Sequence, residues 1–191
     1  MIRARPRTVL GLALVLLLAV GAAGERGEEP ARQRERAEQL YTLGYLLTLQ
    51  GRFETAIELY ERSLALHPTA EAQTFLGWTY SHMGDHERAI AEAKKAIPLD
   101  PDFGNPYNDI GVYLIELGRE DEAIPYLRKA MVAKRYCCYQ FPHFNLGRIY
   151  LKKKMYEQAR EEFEWALKID PDYGPALKGL ELLRELGDRQ I

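Results

Sequence analysis

The side chains most able to do chemistry in this 191-residue chain are four histidines and two adjacent cysteines. The histidines are far apart in the sequence, at His67, His82, His86 and His143. None belongs to an H-E-x-x-H metalloprotease segment, and the chain has neither the G-x-S-x-G turn of a hydrolase nor a phosphate-binding glycine loop. We therefore predict no catalytic residue, no metal site and no cofactor, and we expect that the protein is not an enzyme.

The two cysteines, Cys137 and Cys138, are adjacent, and no C-x-x-C or other metal-binding spacing surrounds them. In an oxidising compartment they could form a vicinal disulfide and act as a redox pair, or one of them could cross-link to a partner. We favour the simpler interpretation, in which both are partly buried thiols that pack like small apolar side chains.

The overall composition excludes several classes of protein. With 47% apolar and 28% charged residues, the chain resembles an ordinary soluble domain, and its length allows one such domain. A formal net charge of −2 argues against a nucleic-acid partner, because nucleic-acid-binding domains are usually strongly basic. Two cysteines are too few for a disulfide-rich fold or a four-thiolate zinc site.

Residues 1–24 differ in composition from the rest of the chain. Three arginines precede an apolar run from Val9 to Val20, and small residues follow it. This order is typical of an export signal cleaved before Glu25, or of an uncleaved membrane anchor; a buried helix of the fold is the third alternative. In the first two cases the remainder is exported and is either periplasmic, secreted or held at the membrane. Residues 25–36 are polar and predict a charged linker that extends the first helix.

A recurring pattern organises the remainder. Its clearest copy, in residues 143–171, contains Leu146, Gly147, Tyr150, Ala159, Phe163, Ala166 and Pro171. This pattern resembles the tetratricopeptide repeat (TPR), a helix–turn–helix unit of about 34 residues. Matching glycines recur at intervals of 33, 34 and 36 residues, at Gly44, Gly77, Gly111 and Gly147. The resemblance implies an all-α, right-handed helical solenoid of four repeats, at 37–69, 70–103, 104–139 and 140–173.

Within each repeat, the pattern predicts two amphipathic helices that pack against each other. The glycine of the first helix lacks a Cβ atom, so we expect the second helix to approach it closely at a matching alanine. These alanines are Ala56, Ala89, Ala123 and Ala159. A large side chain at either position should overpack the contact, at a cost of about 1–3 kcal/mol.

Residues 174–187 predict one further helix that caps the stack, followed by a tail at 188–191. Leu177 and Leu180 occupy core positions of this helix, and Glu181 stands where a repeat would have its glycine.

Repeat three departs from the pattern because it lacks the terminal proline and is longer than the others. Its second helix is predicted to run toward Tyr136. We interpret the segment 136–142 as an insertion tolerated in a loop; a protruding contact surface is the alternative.

The resemblance also implies a binding site. In TPR proteins the first helix of each repeat lines a concave groove that holds an extended peptide or a partner's helix. Carried over by the glycine register, the groove positions are Tyr41, Tyr45, Leu49, Thr74, Trp78, His82, Asn105, Asn108, Val112, Glu116, Phe141, Phe144, Arg148 and Lys152. Arg148 is the candidate for pairing with an acidic group of the partner. The alternative for each aromatic residue is a place in the core.

We therefore predict a protein–protein interaction scaffold whose partner is another protein's peptide or helix. Nucleic acid is not expected as a partner, and membrane contact is expected only through the N-terminal segment. One alternative is self-association into a homo-oligomer through Leu182, Leu183 and Leu186 of the last helix. The other is an accessory role in an envelope assembly that builds pili, cell wall or cytochromes.

Overall fold

The computed structural model describes the backbone of residues 9–188 and the side chains of residues 29–187. Within this range the regular structure consists of nine α-helices without a β-strand, so the fold is all-α. The helices are α1 (Val9–Leu49), α2 (Phe53–Leu66), α3 (Ala70–His82), α4 (His86–Ala96), α5 (Asn105–Glu116), α6 (Glu120–Ala130), α7 (Gln140–Lys152), α8 (Tyr156–Ile169) and α9 (Gly174–Asp188).

Helices α1 to α8 form four helix–turn–helix pairs, and α9 packs on the last pair. Each odd-numbered helix also approaches the next odd-numbered helix, whereas within the described residues no even-numbered helix approaches another. The odd-numbered helices therefore form the tighter, inner layer of a curved stack. We call the surface of α1, α3, α5 and α7 that faces away from the even-numbered helices the inner face.

The glycine of each odd-numbered helix marks where its even-numbered partner comes closest. A Cβ atom at Gly77 would lie 2.8 Å from the backbone oxygen of Ala89, so the predicted glycine–alanine approach is confirmed there. In the other three repeats that prediction is wrong, because the nearest atoms belong to a large side chain one turn after the alanine. These side chains are Tyr60, Leu127 and Phe163. Repeat two has the small Ala93 at this position, which allows its two helices to close until the backbones meet.

Each turn between paired helices contains one residue with a left-handed backbone. In three repeats it is a glycine, with φ of 74° at Gly51, 80° at Gly84 and 72° at Gly118. In repeat four it is Lys154, with φ of 61°. A non-glycine residue is strained in this conformation because its Cβ atom crowds the backbone.

Helix α6 ends at Ala130, so the predicted continuation toward Tyr136 is wrong. Beyond it, residues 131–139 form what we call the fold-back segment. The N–H of Arg135 donates to the carbonyl of Asp102 at 2.9 Å, and the N–H of Gly104 donates to the carbonyl of Arg135 at 3.1 Å. The helix ends because the chain turns back to bond with the loop before α5. Of the residues predicted to form a loop insertion, 136–139 are irregular and 140–142 belong to α7.

Helix α9 closes one end of the stack. Leu183 is 3% exposed and packs on repeat four with the partly buried Leu180. Leu177, predicted to lie in the core, is 49% exposed, so that prediction is wrong. Glu181 is exposed, as expected for a capping helix. Because Leu183 is buried within the chain, it cannot contribute to the self-association surface predicted for this helix with Leu182.

The predicted export segment, residues 1–24, lies outside the residues whose side chains are described. Helical backbone runs through the predicted linker at 25–36 as part of α1, with Pro30 inside the helix. Among the residues that the structure describes in full, no helix has the length and apolarity that a membrane span requires.

Replacing Lys154 by Gly should raise the free energy of unfolding by about 1 kcal/mol, because glycine adopts the left-handed conformation without steric cost. The reciprocal change, Gly118→Lys, should lower it by a similar amount, since a Cβ atom at Gly118 meets open space and only the backbone is affected. Urea unfolding followed by circular dichroism measures both changes. A loss of stability in Lys154→Gly would contradict this account of the turn.

Candidate functional site

An aromatic cluster joins α1 and α3 and also reaches α2, because the ring of Tyr41 lies 6.2 Å from that of Tyr60 and His82 stacks 5.9 Å from Phe53. Its centre is Phe75, whose ring centroid lies 5.6 Å from that of Tyr41, 5.2 Å from Tyr45 and 5.7 Å from Trp78. His82 extends the cluster, with its ring 4.4 Å from that of Trp78. The structure therefore brings together four predicted groove residues around Phe75, which the sequence analysis did not single out. The four are Tyr41, Tyr45, Trp78 and His82.

Four rings of this aromatic cluster are partly buried and that of His82 is exposed, so each keeps accessible surface. Burial and the nearby charge of Glu71 raise the pKa of the Tyr41 hydroxyl above its ordinary value. Two neighbouring positions behave differently. Thr74 is buried and its hydroxyl donates to the carbonyl of Ala70, so it cannot reach a partner. Leu49 is 58% exposed and remains accessible.

A chain of polar side chains connects α5 to α7. Asn145 donates from Nδ2 to Oδ1 of Asn108 at 3.3 Å, and Arg148 donates to Oδ1 of Asn145 at 3.3 Å. Arg148 also lies 3.4 Å from a carboxylate oxygen of Glu116. Both asparagines are buried, so the carboxamide of Asn108 is used within the chain. Asn105, one turn earlier, is partly buried and makes no side-chain hydrogen bond within the described part of the chain.

The basic side chains predicted for the groove already have acidic partners. Arg148 pairs with Glu116, and Lys152 pairs with Glu120. Arg148 is therefore not the free anion-binding group that the sequence suggested. Five ion pairs join residues separated by 32 positions, which is close to one repeat: Glu87–Arg119, Asp102–Lys134, Glu116–Arg148, Glu120–Lys152 and Asp121–Lys153.

A second aromatic group lies at the start of α7. The ring of Tyr173 is 5.7 Å from that of Phe141 and 5.4 Å from that of Phe144. Phe144 also packs on Phe163, and the guanidinium of Arg148 lies 6.0 Å from its ring centre. Phe144 thus contributes partly to the core, while Phe141 is 37% exposed.

The fold-back segment contacts the N-terminal ends of the inner helices α3 and α5. Arg135 forms ion pairs with Glu71 and Asp100, both at 2.6 Å, and its guanidinium stacks 4.1 Å from the ring centre of Phe103. The next residue, Tyr136, covers Gly104, where a Cβ atom would lie 2.4 Å from the tyrosine side chain. Tyr136 is therefore held at the first turn of α5, a placement that the sequence analysis missed.

Asp109, one turn after Asn105 on α5, is a partly buried acid that the sequence analysis did not single out. Burial raises the pKa of its carboxyl to about 7, and the amide of Asn108, 3.4 Å away, only partly offsets this effect. Burial, and then the charge of Asp109, raise the pKa of both Tyr113 and Tyr136. No Lys, Arg or His among the described side chains lies within ion-pair distance of Asp109.

The residues that the sequence analysis failed to single out share one position relative to the glycine of their helix. Phe75, Asp109 and Asn145 each stand two positions before the glycine of their helix. Phe75 and Asn145 contact the preceding odd-numbered helix, which shows the direction in which this position points. Thr42, the equivalent residue of α1, is exposed.

The cysteine pair lies in the fold-back segment. The Sγ atoms of Cys137 and Cys138 are 2.24 Å apart, and the structure joins them as a vicinal disulfide. The favoured interpretation of two free thiols is therefore wrong. Cys137 is exposed and follows Tyr136 directly, so the bridge lies beside the first turn of α5.

Comparison with known protein families identifies the family that has this helical architecture. Models of the tetratricopeptide repeat match residues 35–102, 105–134 and 142–173, which together make up most of the chain. The chain belongs to the tetratricopeptide repeat family. The family and the all-α fold expected from the glycine register are thereby confirmed.

Two curated TPR relatives are similar over different extents. The type IV pilus assembly protein PilF of Pseudomonas aeruginosa is 30% identical over 168 residues, which cover 83% of this chain and 66% of PilF. The small glutamine-rich tetratricopeptide repeat-containing protein 2 of Mycosarcoma maydis is 32% identical over 97 residues, covering 50% of this chain and 28% of that protein. This TPR chain therefore spans only part of the length of each relative.

Solved structures show the same helical fold. The crystal structure of MamA protein superposes with a TM-score of 0.66 at 26% identity, covering 79% of this chain and 82% of MamA. The crystal structure of PilW, a type IV pilus biogenesis factor, superposes with a TM-score of 0.71 at 21% identity, covering 80% of this chain and 72% of PilW. At that identity the likeness to PilW shows the fold alone.

Replacing Asp109 by Asn should stabilise the TPR protein more at high pH than at low pH. In the unfolded chain the carboxyl ionises near pH 4, whereas in the folded chain it stays protonated up to about pH 7. Folding therefore binds a proton between these values, and stability falls as the pH rises through them. We expect a gain of about 1–2 kcal/mol at about pH 8 and little change at about pH 4, reduced from the full effect because the group is partly exposed.

Chemical unfolding at the two pH values measures this difference. The control is Asp172→Asn, which removes the same charge from an exposed residue between α8 and α9. Equal pH dependence in the two variants would show that the Asp109 carboxyl is not held in its neutral form by burial.

Proposed function

We propose that this TPR protein is a scaffold that binds an extended segment of a partner protein across its inner face. TPR proteins act in protein–protein interaction, and the inner layer of this chain carries the aromatic cluster of Tyr41, Tyr45, Phe75, Trp78 and His82. That cluster is the observation that carries the proposal. Its rings are fixed by one another, so a partner would lose little side-chain entropy in contacting them, and Tyr and Trp often dominate interface energies.

The remainder of the inner face supplies contacts of a different kind. Phe141 offers an exposed apolar surface at the other end, and Asn105 offers a carboxamide that can donate to and accept from an extended backbone. Arg148 and Lys152 are engaged with Glu116 and Glu120, so they position helices instead of contributing free positive charge. In this proposal the inner face binds mainly through aromatic and amide groups and performs no catalysis.

We further propose that the scaffold serves a type IV pilus assembly complex. The support is the relative PilF, which is named as a pilus assembly protein and is 30% identical over 83% of this chain. The shared fold of PilW is consistent with this role but supports only the architecture.

Trp78→Ala combined with Tyr45→Ala should abolish partner capture while preserving the helical fold. The full chain is used as bait in envelope extract, and retained proteins are identified by mass spectrometry. The matched control is Trp165→Ala, because Trp165 is the other tryptophan and lies 51% exposed on the even-numbered helix α8.

We expect a protein that is retained by the wild type and by the Trp165→Ala control but is reduced about tenfold or more with the double variant. Circular dichroism checks that all three baits are folded. Equal recovery on the three baits would move the binding surface away from the aromatic cluster.

We also propose that residues 1–24 direct the chain to the cell envelope, consistent with a role in pilus assembly. Three arginines before an apolar run and small residues at its end form the pattern of an export signal. Intact mass measurement of the protein recovered from envelope fractions should show either an N-terminus at Glu25 or the full-length chain as a retained anchor. Recovery only in the cytosolic fraction would contradict the proposal.

A further inference from the structure

Near the centre of the inner face, the basic side chains have acidic partners, whereas one acidic side chain has no basic partner among the described residues. Arg148 and Lys152 pair with acids of the preceding repeat, and Arg135 of the fold-back segment pairs with Glu71 and Asp100. Each of these cations therefore has an acidic partner within the chain. Asp109 shows the opposite situation, because no basic group among the described side chains accompanies it.

Asp109 is partly buried and keeps some accessible surface beside α3. It lies one turn from Asn105 and from Val112, so the three residues share one side of α5. Asn105 and Val112 are also partly buried, and Val112 packs in addition against the core. Tyr136, fixed over Gly104 at the first turn of α5, lies close enough for the charge of Asp109 to act on its hydroxyl.

We propose that Asp109 receives a lysine or arginine side chain of the partner segment, with Tyr136 packing beside the cation. This inference rests on the proposed function, since it assigns the chemistry that one subsite of the inner face recognises. The partner is accordingly a protein segment with a basic residue at one defined position.

Physical chemistry favours a cation at this place. A poorly hydrated carboxylate gains more from an opposite charge than an exposed carboxylate does, because solvent screens the interaction less. The raised pKa of Asp109 is what burial without a counter-charge produces, and a bound cation would reverse it. The ring of Tyr136 adds a face over which an ammonium or guanidinium group is attracted. A single carboxylate is a poor metal site, and the described residues contain no group of three or more potential metal ligands.

Selection of random peptides displayed on phage tests the proposal, because the peptides stand in for the partner segment. The baits are the full chain, Asp109→Asn, and the charge-matched control Asp172→Asn. Asparagine has nearly the same shape as aspartate, so Asp109→Asn removes the charge and leaves the packing of α5 intact. A fourth bait, Trp78→Ala, reports whether the selected peptides bind at the inner face at all.

The expected result is that peptides selected by the wild type and by Asp172→Asn are enriched in lysine or arginine at one position. Peptides selected by Asp109→Asn should lack that enrichment but still depend on Trp78. A wild-type set without a basic position, or the same enrichment with Asp109→Asn, would overturn the inference while leaving the proposed function standing. If no peptide depends on Trp78, both the inference and the proposed function fail.

A binding cycle then tests the contact itself. A selected peptide and its lysine-to-norleucine analogue are titrated against Trp165→Phe protein, in which Trp78 is the only tryptophan that reports binding. We expect the analogue to bind the protein with Asp109 about tenfold more weakly, and to bind the Asp109→Asn form as well as the lysine peptide does. An equal loss with both proteins would assign the basic residue to another acid and overturn the inference.

Discussion

The spacing between the two helices of each repeat governs the whole architecture. A glycine in the odd-numbered helix leaves room, and the even-numbered helix fills it with Tyr60, Leu127 or Phe163. Repeat two has Ala93 at the equivalent position and brings its helix backbones into contact instead. Protein interiors are packed as densely as organic crystals, so the volume at this point fixes how closely the helices lie. The positions of the odd-numbered helices, and hence the shape of the inner face, follow from it.

Ion pairs with a common spacing join repeat two to repeat three and repeat three to repeat four. Five ion pairs join residues that are 32 positions apart, so acids of one repeat face bases of the next. Each such pair lies near the surface and is worth about 0–1 kcal/mol, so together they align the repeats more than they stabilise them. They also engage Arg148 and Lys152, which leaves aromatic rings, amides and the isolated acid Asp109 as the distinctive chemistry of the inner face.

The TPR scaffold is shared by proteins with little sequence in common, as the superposition on PilW at 21% identity shows. Such a scaffold does not specify a partner, because the same helix pairs support many different inner surfaces. In this chain the surface is shaped further by the fold-back segment. The segment fixes Arg135 between Glu71 and Asp100 and places Tyr136 over Gly104 at the beginning of α5.

The amino-acid sequence was sufficient to predict the family, the all-α fold and the helices that carry the aromatic cluster, because glycine spacing and helical periodicity are local and repeat along the chain. It also predicted that Tyr41, Tyr45, Trp78 and His82 lie on the inner helices. The three-dimensional arrangement was needed to show that Arg148 is already paired and that Leu177 is exposed. It was also needed to show that Asp109 has no basic partner among the side chains that the structure describes. Those properties depend on side chains from repeats that are distant in sequence, and so they arise only when the repeats stack.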